Sequence, residues 1–274
     1  ALGVGCELHM GADDGGDPLA KRPRLDTIGQ MRLDLAIAYR MAAKHKLNEG
    51  VCNHFTIAID TTYDKFLVIP HGVSWELVRP EQLLLVNAKG EVLEGDGEVE
   101  RTALHIHAAI HTACGAAGVA VLHTHMPFAT AMCALRGDCG GKLLQIHQNC
   151  CRFFGAVKYD DRYGGLADDS REGCAIARAF REPVGETGHP TRVVFLANHG
   201  VLVIGKSIAE AWHDLYYLER ACMFQVHALA AAAGDLSKLR YIDDATAMKV
   251  YHAELRDHES YGKKHLGAGL SEIR

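Results

Sequence analysis

Histidines are the residues of this chain best able to do chemistry, and there are 17 of them in 274 residues. His123-Thr124-His125 follows directly on the apolar run Gly118-Val119-Ala120-Val121-Leu122. On extended chain, residues i and i+2 face the same way, so two imidazoles can converge on one ion. The spacing alone is weak. With histidine at about 6% of positions, about one such pair arises by chance, and His105-Ile106-His107 is a second. His123 and His125 stand apart because they close a strand just before Met126-Pro127, which opens a helix; functional loops concentrate at such junctions. A further ligand candidate is His199, in Asn198-His199-Gly200 between the apolar runs 193–196 and 201–204. Gly200 permits close approach of backbone or ligand. The residues alone leave open whether His199 is a ligand or a hydrogen-bonded core histidine. Three neutral imidazoles would leave a divalent ion with an open position. An ion held that way can polarise a substrate oxygen as a Lewis acid. Zinc is the default; manganese and iron(II) are compatible with the same donors.

The elements that must position these side chains are legible as periodicity. Ile28, Met31, Leu35, Ala38 and Ala42 form the stripe of an amphipathic helix that stops near Gly50. Short extended runs follow at 55–59, 66–69 and 83–86, separated by the turn-like Pro70-His71-Gly72 and a second turn at 87–90. Residues 105–113 read as a helix, 119–122 as a buried strand and 127–135 as a helix with Pro127 in its first turn. Strands at 156–159, 193–196 and 201–204 flank a helix at 170–180. Ser207 and Glu210 have capping-box spacing and open a long helix to Gly234. The organisation expected is a tail at 1–26, one mixed α/β domain at 27–234, and a polar segment at 235–274 that packs on the core or on a neighbouring subunit.

Composition narrows the function. A net charge of −5 argues against a nucleic-acid groove, which would cluster Lys and Arg. Lys21-Arg22-Pro23-Arg24 reads as part of a solvated tail rather than a targeting patch. No apolar run approaches the ~18–20 residues of a membrane span. Nine cysteines, with no C-x-x-C pair and with Cys150 beside Cys151, point to free thiols in a reducing, cytoplasmic setting.

Over about residues 28–232 the chain resembles the class II aldolase/adducin family. The landmarks are Val121-Leu122-His123-Thr124-His125, Phe195-Leu196-Ala197-Asn198-His199-Gly200 and Tyr217-Leu218-Glu219-Arg220-Ala221-Cys222, with Gln225 just beyond. His107 and His111 before the paired histidines, and Tyr163-Gly164-Gly165-Leu166 after them, match as well. The resemblance implies a three-layer α/β/α fold around a central, largely antiparallel sheet. It implies that His123, His125 and His199 hold a catalytic divalent ion, usually zinc. It also implies a fourfold-symmetric homotetramer with active sites between subunits.

At the acid/base positions the chain departs from the family's sugar-phosphate aldolases. Where they carry a catalytic glutamate, this chain has Ala103, between Thr102 and Leu104, none able to exchange a proton near neutral pH. Glu98 and Glu100 read as solvated turn carboxylates that only a shifted register would bring inward. The phosphate-gripping serines correspond to Arg101-Thr102, and the planar fork of Arg101 suits a carboxylate. The catalytic tyrosine corresponds to Gln148, which can hydrogen-bond a substrate oxygen but supply no proton, while neighbouring His147 could supply one. Asn53 matches a pocket-lining asparagine, and Gly72 matches a turn whose N–H groups can cradle an anion. His71 and His54 are further pocket candidates.

The expected function is therefore a divalent-metal-dependent lyase that cleaves a C–C bond of a small oxygenated acid, by decarboxylation or retro-aldol cleavage. Decarboxylation demands less of a base, because CO2 leaves rather than a proton. The alternatives are an iron(II)-dependent oxygenase on the same scaffold and a non-catalytic, adducin-like interaction module.

Overall fold

A computed structural model describes residues 27–165 and 170–272. The tail read at 1–26 and the landmark residue Leu166 lie outside the described residues. Helix α1 (Thr27–Lys44) leads to four strands, β1 (His54–Ala58), β2 (Lys65–Val68), β3 (Leu84–Asn87) and β4 (Val92–Glu94). Helix α2 (Arg101–Cys114), strand β5 (Ala120–Thr124) and helix α3 (Pro127–Cys133) come next. After β6 (Val157–Asp160) and α4 (Ser170–Arg181), the hairpin of β7 (Val193–Leu196) and β8 (Gly200–Gly205) feeds α5 (Ile208–Ala231), and α6 (Asp244–Glu272) closes the chain.

The eight strands form one sheet in the order β4-β3-β2-β1-β5-β8-β7-β6. Only β6 and β7 run parallel; every other pairing is antiparallel. Strand alternation splits the core in two. Phe55, Ile57, Leu122 and Val203 pack with α1 and α5 on one face. Val121, Val194, Leu202 and Ile204 pack on the other with Ile106 of α2 and Ile176 of α4. The result is the three-layer α/β/α sandwich with a largely antiparallel centre that the sequence implied.

One helix start differs from expectation and another matches it. Helix α2 begins at Arg101 rather than near His105, because the Glu100 carboxylate accepts the Ala103 N–H at 2.8 Å and caps the helix. The long α5 begins as its spacing predicted: Ser207 Oγ accepts the Glu210 N–H at 3.3 Å, and Glu210 reaches back to the Lys206 N–H at 3.1 Å. The polar C-terminal segment contains the 29-residue α6, whose pattern gave no apolar stripe to read. It docks through buried Ala247, Tyr251 and Leu266, and through Gly262, whose missing Cβ would lie 2.7 Å from the Ala209 carbonyl oxygen. All eight cysteines among the described residues are unpaired. Among those residues, no helix is long and apolar enough to cross a membrane.

Candidate metal centre

Register puts the paired histidines where they are. Strand β5 sits between β1 and β8, with His123 opposite His54 on one side and opposite Leu202 on the other. His199 lies in the β7–β8 turn, which Asn198 enters with φ +57°. Asn tolerates this left-handed conformation better than most residues. At Gly200 a Cβ would stand 2.6 Å from the Thr124 carbonyl oxygen and 2.7 Å from Cδ2 of His125, so only glycine lets the turn close on β5.

The three rings form a nearly equilateral triangle, with centroids 5.0 Å apart for His123–His125, 4.9 Å for His123–His199 and 5.0 Å for His125–His199. One ligand atom from each lies within 4.8 Å of the others. His123 Nδ1–H donates to the Val201 carbonyl at 3.0 Å, which leaves Nε2 as its bare nitrogen. His125 Nδ1–H donates to Glu49 Oε2 at 2.6 Å, and its Nε2 is buried without a hydrogen-bond partner. His199 Nδ1 is likewise buried and unpartnered by hydrogen bonds, with Glu172 Oε1 of α4 4.0 Å away. Burial, and then the neighbouring His125, push His199 down to about 4, so its ring is neutral near neutral pH. Unpartnered buried nitrogens on neutral rings are what a divalent cation with nitrogen donors requires. The residues present therefore fit such an ion.

Asn53 is buried beside the triad. Its Oδ1 accepts the Glu49 N–H at 2.7 Å and the His125 N–H at 3.3 Å, while Nδ2 is buried with no partner. His54 lies 5.0 Å from His123 ring to ring, and its Nε2 is 3.9 Å from Glu100 Oε2. Burial, partly opposed by Glu100, pushes His54 down to about 3. Glu100 thus faces inward from the helix cap, contrary to its reading as a solvated carboxylate. Its side chain accepts from the Thr102 hydroxyl and the Ala103 N–H, and His54 completes its surroundings. Ala103, the position that the resemblance matches to the aldolase glutamate, is buried.

The other candidates are more scattered. Arg101 is exposed in the first turn of α2, next to Glu100. Gly72 sits at φ +83° in an exposed turn, but the His71 N–H is taken by the Glu98 carbonyl at 2.8 Å and the Val73 N–H by the Pro70 carbonyl at 3.2 Å. That turn has few amides left to cradle an anion. His71 itself is exposed. His147 caps the short 3-10 helix Gln148–Phe153 through the Asn149 N–H and packs against Phe224 of α5, ring centroids 4.3 Å apart. Gln148 is exposed at the start of the same helix. The structure brings Asn53 and His54 to the triad of its own chain, and places His147 and Gln148 on the α5 side of the sheet. Glu49 and Glu172 were missed, because strand and helix periodicity says nothing about which loop or helix end meets a ring from far along the chain.

A family model described as Class II Aldolase and Adducin N-terminal domain matches residues 33–226. α-Adducin of Rattus norvegicus is 30% identical over 207 residues, 74% of this chain but 26% of the adducin, so the chain spans about a quarter of that relative's length. An aldolase II superfamily protein from Pseudomonas syringae superposes with a TM-score of 0.78 at 27% identity, covering 91% of this chain and 94% of that one. An L-fuculose 1-phosphate aldolase from Glaciozyma antarctica PI12 gives a TM-score of 0.71 at 27% identity, with 93% and 94% covered.

Proposed function

Since this chain belongs to the class II aldolase and adducin family, we propose that it is a divalent-metal-dependent lyase that breaks a C–C bond of a small oxygenated acid. The observation that carries this reading is the pair of buried, unpartnered ring nitrogens on His125 and His199, facing His123 across the triangle. An inert core would have satisfied them. His123, His125 and His199 would hold the ion, zinc by preference for three imidazoles. When bound, it supplies positive charge that polarises a substrate oxygen and accommodates the electrons of the broken bond.

The remaining roles fall to the chain's own groups. Glu49 holds the His125 ring by its Nδ1–H, the carboxylate support that metal-binding histidines commonly have. Asn53 Nδ2 is a free buried donor for a substrate oxygen. Arg101, solvated at the head of α2, is the proposed clamp for the substrate carboxylate. With alanine at 103, decarboxylation is favoured over aldol cleavage, because it removes CO2 without a base at that position. The proposed assembly is a homotetramer, in which His147 and Gln148 would serve a neighbour's site rather than their own. The test is metal analysis of purified protein, followed by turnover of a panel of hydroxy and oxo acids. Bound divalent ion and CO2 release that a chelator abolishes are expected. Less than about a tenth of an equivalent of metal, with no uptake of added zinc, would end this reading.

The second reading is a non-catalytic interaction module. It is favoured by the α-adducin relative and by the missing carboxylate at 103. Intact metal binding with no turnover of any acid in the panel would support it.

A further inference from the structure

A cleft of about 230 Å³ opens between the end of α1, the start of α3 and the middle of α5, outside the machinery of the proposed reaction. Local structure builds each wall. Helix α1 ends in a left-handed turn: Lys46 has φ +57°, its N–H returns to the Ala43 carbonyl at 2.9 Å, and the Leu47 N–H returns to that of Ala42 at 2.8 Å. This pair of bonds is the Schellman closure, which buries Leu47 and leaves Lys46 exposed at the rim. On α5, Tyr216, Arg220 and Met223 are spaced i, i+4 and i+7 and so share one stripe. Phe128, in the first turn of α3, supplies a further apolar wall, and His45 meets the Tyr216 ring edge-on with centroids 5.2 Å apart.

The polar groups set into these walls carry an excess of positive charge. Arg220 is half-buried. Its guanidinium carbon lies 5.1 Å from the centre of the Tyr216 ring, and Nη1 donates to Met223 Sδ at 3.6 Å, a weak acceptor. Neither Arg220 nor Lys46 forms an ion pair among the described residues. An arginine has five N–H donors and cannot shed its charge, so one served only by a thioether leaves most of its donors to water or a ligand. The apolar walls favour a ligand, because its body removes their surface from water. The one carboxylate lining the cleft among the described residues is already engaged. Glu219 Oε1 accepts the Phe128 N–H and Oε2 the Ala129 N–H, each at 2.9 Å, and burial pushes Glu219 up to about 7. Two cations against one carboxylate so held leave room for a single negative charge, which fits a monoanion better than a phosphate dianion.

We propose that this cleft is a binding site for a small apolar monocarboxylate, whose body packs against Phe128 and Tyr216 and whose carboxylate takes the fork of Arg220, with Lys46 at the rim. A carboxylate accepts two parallel N–H bonds from a guanidinium, where the thioether accepts one weak bond. A volume of about 230 Å³ admits one ring or a short chain and not a nucleotide. The cleft is separate from the triad, since none of the residues that line it is a metal-ligand candidate. The assignment does not depend on the lyase reading.

Calorimetry with benzoate on the full chain, as purified and again after metal removal by a chelator, tests it. Benzoate should bind in both preparations. It should bind tighter by about tenfold or more than benzyl alcohol, which has the ring without the charge, and than acetate, which has the charge without the ring. Arg220→Met should bring benzoate down to the level of benzyl alcohol, and Arg220→Lys should keep the preference for the acid at reduced strength. Lys46→Met should weaken benzoate by about twofold to fivefold, the range of an exposed charge pair. Binding that appears only with metal present would put the acid on the ion and overturn the proposal. Equal affinity for benzoate and benzyl alcohol, benzoate affinity unchanged by Arg220→Met, or no binding at all would overturn it too; the last is the result expected of a cleft filled by a second copy of the chain. Should Arg220→Met fail to fold, the three-ligand comparison on the unaltered chain and Lys46→Met still decide. A chain that holds no metal would sink the lyase reading and leave the benzoate measurement standing.

Discussion

At the sheet end, His125 and His199 each keep a buried ring nitrogen without a hydrogen-bond partner, whereas beneath α6 the buried histidines have none to spare. There, Arg152 donates to His213 Nε2 at 3.0 Å, and His213 Nδ1 meets His265 Nδ1 at 3.2 Å. His258 Nε2 meets Asp214 Oδ1 at 2.9 Å, and Asp214 also pairs with Arg192. Arg152 reaches Glu254 of α6 at 2.8 Å. Burial would raise the Asp214 carboxyl, but Arg192 and then His258 hold it below its ordinary value. Both regions bury several histidines, but only at the sheet end are buried ring nitrogens of histidine left unmet; beneath α6 the unmet atoms, among them Arg192 Nε and Trp212 Nε1, are not imidazole nitrogens. Histidine content therefore says little about function here; unmet hydrogen-bonding capacity says more.

This contrast can be broken from either side. His123→Ala should abolish tight metal binding, read by calorimetry with zinc, with a cost in folded stability limited to the cavity that the buried ring leaves. Asp214→Ala should do the reverse, costing about 3–5 kcal/mol in urea unfolding by stranding Arg192 as a buried charge, with zinc affinity unchanged. If zinc affinity fell as well, the two regions would not be independent.

Acid should weaken both. His111 is held near 4 and His213 near 3 in the folded chain, each chiefly by burial, against an ordinary value near 6.5. The unfolded chain thus binds more protons between these limits. Stability is complete above about pH 6.5 and falls as pH drops towards 4, by about 2 kcal/mol at pH 5 for one such histidine. Urea midpoints at pH 7 and pH 5 check the sign, and a midpoint that rises on acidification would contradict it. The smallest effect is Glu49→Gln, which weakens the support of the His125 ring. Zinc affinity should fall about tenfold, the lower end for such partners because Glu49 is largely exposed, with no change in urea midpoint.

Much of this is legible in the amino-acid sequence. Apolar spacing located α1, α3, α5 and most strands, and the i, i+2 pair at the end of β5 sits in the triangle with His199. The inward turn of Glu100 was hidden, because a cap is defined by where the helix starts, and α2 starts four residues before its apolar stripe becomes readable. Helix α6 was hidden too. Its contacts with the core run through a few widely spaced apolar residues such as Tyr251 and Leu266, ion pairs, and small residues such as Gly262, so the sequence shows polarity where the fold has a docked face. Resemblance matched Gln148 to a catalytic position and offered His147 beside it, and their location on the α5 side depends on packing that no local pattern encodes.

Gly200 carries a consequence for how this protein tolerates change. It has no functional group, yet a single added methyl would push on both the strand that bears His123 and the imidazole of residue 125. A position vulnerable to mutation at this end of the molecule is thus one that a survey of reactive side chains would pass over, and Gly200→Ala would disarm the triad while leaving all three of its histidines in place.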